Sequence, residues 1–330
     1  MRRSIEGSTP IGEPEPAGGV IPLVDIADGT TPAVGKALDE ALRTSGFLLV
    51  TGHGVPDDGR HAARAAAREF FALPAEVKAR YAVAVGGHGY LGPGAEANAA
   101  AEGVAGPPDL KESWTVGADA PTGDPAIDAV WFAPNAWPAE VPALQRELEA
   151  HMRRMRDVAD TLLEIGAVGL GLAPDHFTRH TRHPSYTLNV NRYPPLTEVG
   201  PPAEDQFRIG PHTDFGTFTV LDREPGAGGL QVDMDGSWVD APYVEGAFTI
   251  NVGDLLSRWT GGRWRSTRHR VLPPQASAPD EDLVSLVFFY ELDPHTVVES
   301  LGPPVGHTAA PPVRAADYLA DKLAAITVSP

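Results

Sequence analysis

Apolar positions along the chain fall into two textures that meet near residue 185. In the first, apolar residues recur at helical spacing. Val34, Ala37, Leu38 and Ala41 predict a helix over Ala33 to Arg43, and a second runs from Arg60 to Phe71. From Pro142 to Leu172, the residues Leu144, Leu148, Met152, Met155, Leu162 and Ile165 make one apolar stripe. A single stripe of that kind is a packing face, and Gly171 and Pro174 end it. Two short apolar runs, Ile21 to Ile26 and Gly46 to Val50, predict strands between turn residues.

After residue 185 the pattern becomes strand-like. Tyr186 to Tyr193, Phe215 to Leu221, Gly229 to Val232, Ala247 to Val252, Trp264 to Val271 and Leu283 to Tyr290 all fit. Turns such as Asp235-Gly236 and Gly261-Gly262 separate them. Helices followed by many short strands predict a mainly β fold, a sandwich or jelly roll with flanking α-helices. No internal repeat or linker divides the chain, so residues 21–330 read as a single domain. Within it, 21–180 is the helical N-terminal region, 181–300 the jelly-roll core and 301–330 a C-terminal extension. Residues 1–20 read as a flexible tail. Residues 92–108, poor in bulky apolar groups, read as a long mobile surface loop.

Composition sharpens this picture. The 35 glycines and 33 prolines suit many short strands and turns and exclude a long coiled coil. The net charge of −18 repels phosphate backbones and anionic lipid, which argues against nucleic-acid and membrane-surface roles. The absence of cysteine excludes disulfides, thiolate metal sites and cysteine nucleophiles. No segment approaches the roughly 20 apolar residues of a membrane span. Met1-Arg2-Arg3 is basic, but no apolar signal-peptide core follows it, so the expected location is cytoplasmic.

Eleven histidines are present. His53, His61, His88, His151, His295 and His307 stand alone and read as solvated or hydrogen-bonded side chains. His176, His180 and His183 have ligand-like spacing, but Arg179 and Arg182 between them would repel a dication. His212-Thr213-Asp214 is the stronger group. In an extended chain, residues two apart share a side, so His212 and Asp214 are placed to hold one ion. His269, in a separate strand-like run, is the candidate third ligand. Two imidazoles and one carboxylate form the facial triad of non-haem Fe(II) oxygenases, with positions left open for dioxygen and a chelating co-substrate. From these residues alone, a purely structural role for them stays open.

The order of motifs resembles the isopenicillin-N-synthase-like family of Fe(II) and 2-oxoglutarate-dependent oxygenases, over nearly the whole chain. Ile21-Pro22-Leu23-Val24-Asp25, Gly46-Phe47 through Pro56, and Phe70 to Pro74 with Lys78 come first. Gly89-Tyr90, Lys111-Glu112 and Asn135-Ala136-Trp137-Pro138 follow. Next stand Asn191-Arg192-Tyr193-Pro194, His212-Thr213-Asp214, Gly228-Gly229-Leu230-Gln231-Val232 and Asn251-Val252-Gly253-Asp254. Ser266 to Val271 closes the series. The resemblance implies a distorted double-stranded β-helix with Fe(II) on His212, Asp214 and His269. It implies co-substrate contacts at Asn191, Tyr193 and Ser285, with Leu283 and Phe215 as candidate pocket residues.

The chain departs from the family at one place. The family's R-x-S signature pairs an arginine with the distal carboxylate of 2-oxoglutarate, but here the run is Leu283-Val284-Ser285. An alkyl chain cannot replace a bidentate arginine, and burying an unpaired carboxylate costs several kcal/mol. Another cation could substitute, and Arg263 and Arg265 share parity with His269 if that strand is regular. Alternatively the co-substrate is a 2-oxo acid with an apolar tail, or the enzyme is an oxidase that uses none.

The reading is therefore an Fe(II)-dependent oxygenase or oxidase acting on a small molecule in specialised metabolism, with O2 and a 2-oxo acid. Hydroxylation, desaturation or cyclisation would all suit it. A zinc-dependent hydrolase and a non-catalytic metal- or ligand-binding protein remain as readings from other classes.

Overall fold

The computed structural model describes residues 21–103, 106–227 and 229–326. The tail expected over residues 1–20 lies outside them. The N-terminal region opens with β1 (Leu23–Asp25), α1 (Pro32–Thr44), β2 (Phe47–Thr51), α2 (Asp57–Phe71) and α3 (Ala75–Lys78). Then come β3 (Tyr90–Leu91), β4 (Glu112–Gly117), α4 (Pro125–Trp131) and the long α5 (Pro142–Gly169). Thr31 caps α1 by accepting the Val34 amide, and Pro32 sits in its first turn, where its missing N–H costs nothing. The close approach of α1 to α5 depends on two glycines. A Cβ on Gly35 would lie 2.8 Å from the Gly169 backbone nitrogen, so no side chain fits there.

The second half supplies β5 (Thr187–Tyr193), α6 (Leu196–Val199), β6 (Ile209–His212), β7 (Phe218–Asp222), β8 (Leu230–Met234) and β9 (Ser237–Asp240). It continues with β10 (Phe248–Val252), α7 (Asp254–Trp259), β11 (His269–Val271) and β12 (Leu283–Phe289). The short pair β13 (Val297–Val298) and β14 (Val313–Arg314) leads to α8 (Ala315–Ile326). An eight-stranded sheet runs in the order β1-β2-β10-β7-β12-β5-β4-β3, and a four-stranded sheet in the order β6-β11-β8-β9.

Strand alternation divides the large sheet into two chemistries. Leu188, Val190, Val220, Ile250, Leu286 and Phe288 are fully buried in the main core with the α5 stripe. The intervening positions, Asn191, Tyr193, Thr219, Asn251 and Ser285, turn a polar face the other way. Near the other end of that face, Phe47 and Leu49 pack with Leu230 and Val232 of the small sheet. The fold is thus a distorted double-stranded β-helix, mainly β with flanking helices, and its polar interior lies between the sheets.

Two expectations need correction here. The run Trp264 to Val271 is strand only from His269. Trp264 is fully buried, its ring against Gly166 of α5 and its indole N–H donating to Asp39 Oδ1 at 2.9 Å. Residues 92–108 also do more than loop. Asn98–Glu102 forms a 3-10 turn, Asp109 accepts from Asn98 and from the Gly210 amide, and Glu96 pairs with Lys111 in a buried contact. Buried charge anchors this segment where apolar side chains are lacking.

His151 of α5 is fully buried, and neither ring nitrogen has a hydrogen-bond partner among the described residues. Burial pushes its pKa down to about 4. In the unfolded chain it takes up a proton near pH 6.5. Its contribution to stability is therefore complete above pH 6.5 and is lost as the pH falls from there towards 4, by about 3 kcal/mol. His151→Leu should flatten the pH dependence of urea unfolding between pH 7 and pH 4.5. An unchanged slope would contradict this account.

Candidate metal centre and co-substrate pocket

β6 and β11 pair antiparallel, and their register sets His269 against His212. The two rings lie 4.3 Å apart between centroids, with Phe47 edge-on to His269 at 5.3 Å. Asp214 follows β6 in a loop held by the first turn of α7: the Asp254 amide donates to the Asp214 carbonyl at 2.8 Å and the Leu255 amide to Phe215 at 3.0 Å. This places Asp214 Oδ1 at 3.6 Å from His212 Nε2 and 3.7 Å from His269 Nε2. Ligand atoms of the three residues fall within 4.8 Å of one another, and all three side chains are buried.

The outer atoms of this cluster are already used. His212 Nδ1 is 2.8 Å from the Gly210 carbonyl and His269 Nδ1 is 3.1 Å from the Thr267 carbonyl. A carbonyl only accepts, so each Nδ1 carries the proton and each Nε2 lone pair is left for the shared point. Asp214 Oδ2 accepts from Thr219 Oγ1 at 2.5 Å and Asn251 Nδ2 at 2.6 Å, which leaves Oδ1 facing the imidazoles. Burial by itself would raise the Asp214 pKa. The positive charge that His269 and His212 carry when protonated, with the Asn251 and Thr219 hydrogen bonds, outweighs it and holds the carboxyl below its ordinary value. Two neutral imidazoles and one carboxylate at a common point suit a divalent first-row metal with open positions.

The remaining candidate residues sit along the polar face. β5 and β12 pair so that Asn191 opposes Ser285 and Tyr193 opposes Leu283. Tyr193 is buried, with Asn191 and Ser285 against its hydroxyl. Asn191 Oδ1 accepts from Ser113 Oγ at 2.7 Å, and Lys111 Nζ donates to that Ser113 oxygen at 3.0 Å. A cavity of about 330 Å³ opens beside them, lined among others by Tyr193, Ser285, Leu283, Leu221, Arg208 and Arg223. Phe215 does not line it; Phe215 packs against the main core, with Lys322 of α8 5.4 Å above its ring.

Arg263 and Arg265, the cations expected from strand parity, are elsewhere. Because residues 263–265 precede the regular strand, Arg263 forms a two-point pair with Asp39 and Arg265 reaches Asp235. His176 and His180 pack around Trp259, at 6.0 and 5.2 Å between ring centroids, outside any metal-like group. Arg208 and Arg223 went unnoticed in the sequence, where neither carries a motif.

A jelly-roll interior that presents a buried His-Asp-His cluster beside a polar pocket defines a mononuclear non-haem metal oxygenase. Comparison with known proteins agrees. Residues 185–292 match the 2OG-Fe(II) oxygenase superfamily, and residues 21–140 match the N-terminal region described as non-haem dioxygenase in morphine synthesis. Validamycin A dioxygenase of Streptomyces hygroscopicus subsp. limoneus is 45% identical over 303 residues, covering 89% of this chain and 83% of that protein. The 2-oxoglutarate-dependent dioxygenase traH of Penicillium crustosum is 34% identical over 268 residues, 76% of this chain and 79% of its own. Among solved structures, a full-length Neurospora crassa protein in complex with alpha-KG and thymine superposes with a TM-score of 0.79 at 26% identity, covering 94% of this chain and 98% of that one. The chain belongs to the Fe(II)/2-oxoglutarate oxygenase superfamily and is an Fe(II)-dependent dioxygenase that uses a 2-oxo acid and O2 on a small molecule. No helix among the described residues is long and apolar enough to cross a membrane.

Proposed function

We propose that His212, Asp214 and His269 hold the Fe(II), and that Asn191, Tyr193 and Ser285 contact the 2-oxo acid. Residues 21–330 then work as one cytoplasmic oxygenase domain acting on a small molecule of specialised metabolism. The observation that carries this reading is the convergence of two Nε2 atoms and Asp214 Oδ1, with every outer atom of the three side chains already bonded. The relationship to validamycin A dioxygenase supports a substrate from specialised metabolism.

Fe(II), when bound, would mediate dioxygen activation, with two electrons drawn from oxidative decarboxylation of the 2-oxo acid and two from the substrate. The chain's own residues do the positioning. Thr219 and Asn251 fix the carboxylate of Asp214, and Gly210 and Thr267 fix the two imidazole tautomers. Ala99 and Asp109 pack against Gly210 of β6, two residues before His212. The net charge of −18 favours a small-molecule partner over nucleic acid or anionic membrane.

The test is elemental analysis of anaerobically purified protein, followed by oxygen uptake with 2-oxoglutarate. The expected result is near-stoichiometric iron and formation of succinate and CO2. Protein that holds zinc instead and consumes no oxygen when reconstituted with Fe(II) would overturn the reading in favour of a hydrolase or a binding protein.

A further inference from the structure

The family places its carboxylate-binding cation at the position of Leu283, yet the cavity beside Leu283 is not without positive charge. Arg208 and Arg223 both line it. Arg208 is almost completely buried, its guanidinium carbon 5.8 Å from the Tyr193 ring centroid and its Nη1 3.1 Å from Glu281 Oε1, so a carboxylate already balances its charge.

Arg223 differs. It follows β7 directly, and by alternation it shares the polar face with Thr219 and Leu221. β12 pairs β7 through Leu286 with Asp222 and Val287 with Leu221. One further step of that register sets Arg223 beside Ser285, on the side away from Asn191. Its Nη2 donates to the carbonyls of Ala241, at 2.9 Å, and Pro242, while its guanidinium carbon lies 5.8 Å from the Tyr243 ring centroid. Among the described residues, no carboxylate forms an ion pair with it, and burial lowers its pKa. The two acids that line the same cavity are engaged elsewhere: Glu224 accepts from Arg68 and the Val284 amide, and Asp240 accepts from Gln231. A partly desolvated guanidinium that lines the same cavity as Ser285 and Tyr193 is suited to receive a carboxylate.

We propose that Arg223 is the cation that receives the distal carboxylate of the 2-oxo acid, in place of a residue at 283. The inference rests on the function proposed above. Leu283 fills the vacated position: its Cδ1 would lie 2.7 Å from a Cβ on Gly226, so leucine and the bare glycine loop pack as a unit. The charge has moved one strand across, from the start of β12 to the end of β7.

Calorimetric titration of the Mn(II)-loaded protein with 2-oxoglutarate and with 2-oxobutyrate, which lacks the distal carboxylate, tests this without turnover. The wild type should bind 2-oxoglutarate at least about tenfold more tightly than 2-oxobutyrate. Arg223→Gln should lose about tenfold to a hundredfold in affinity for 2-oxoglutarate and leave 2-oxobutyrate unchanged, and Arg223→Lys should recover part of the loss. Thermal melts of each variant report whether the fold is intact. The proposal is overturned if Arg223→Gln holds 2-oxoglutarate as tightly as the wild type, or if both acids weaken equally, which marks a structural role. A wild type that prefers 2-oxobutyrate also overturns it and makes this an apolar-tail pocket. A wild type that takes up no Mn(II) removes the metal-centre reading itself, and the inference with it.

Discussion

Asp214→Ala and His269→Ala should each abolish tight Fe(II) binding while the protein stays folded. Losing a partner outside the ligand set typically weakens metal affinity about 10–100-fold, and losing a direct ligand from a set of three should exceed that. The fold should survive because these side chains lie in the polar interior between the sheets, whereas the helix-facing core of Val220, Ile250 and Leu286 carries the packing. Asp214→Ala does leave the Thr219 hydroxyl and the Asn251 amide without their acceptor, at about 1–3 kcal/mol each. It should therefore melt earlier than His269→Ala, which leaves one backbone acceptor, the Thr267 carbonyl, without this donor and gives up the ring contacts with His212 and Phe47. Iron per chain after anaerobic reconstitution is the measurement, with circular dichroism as the check on folding. His180→Ala and His183→Ala should retain full iron content. Wild-type iron in both ligand variants would show the assignment to be wrong.

The largest effect on stability is expected at Asp222→Ala. Asp222 is fully buried at the end of β7 and receives Arg60 of α2 through two bonds, Nε to Oδ2 at 2.9 Å and Nη2 to Oδ1 at 2.6 Å. Arg64 of the same helix brings its Nη2 to 2.5 Å from Oδ1. Burial would raise the Asp222 pKa, but the two guanidiniums outweigh it and hold the carboxyl below its ordinary value. Deleting the carboxylate leaves two buried cations facing each other. Removing one partner of a buried ion pair costs about 3–5 kcal/mol, and here repulsion between the survivors adds to it. For a chain of this size the melting temperature should fall on the order of 10 °C. A change near zero would mean that water enters the site and solvates both arginines.

The sequence made the metal cluster legible because its spacing is short-range: His212 and Asp214 need only an extended chain, and His269 only a partner strand. The α5 stripe was legible for the same reason, since every contact that defines it lies within one helix. Parity failed at Arg263 and Arg265 because Trp264-Arg265-Ser266-Thr267 alternates like a strand, while Trp264 is drawn into the helical core by Asp39. β4 was missed: Glu112, Ser113 and Thr115 are polar residues on a buried strand, and their partners Lys78, Asn191 and Arg192 come from distant parts of the chain. The segment at 92–108 lacked apolar residues, and its anchors are pairs whose members are ordinary when read singly. Arg223 was invisible on the same grounds, since its meaning depends on Leu283 and Ser285, about sixty residues further on in the chain.

The alternation along β5, β7, β10 and β12 has a consequence for how such an enzyme can change over time. Each strand carries two messages on interleaved letters, one read by the helices and the other by the ligands. Substitutions at 191, 193, 219, 221, 251, 283 or 285 rewrite the second message and leave the first intact, because Val190, Val220, Ile250, Val284 and Leu286 never meet the pocket. The residue type at position 283 can then change while the sheet beneath it remains the same sheet. An inserted residue has no such licence, since it would exchange the two alphabets along the whole strand. Drift in this architecture is therefore free in residue type and strict in length.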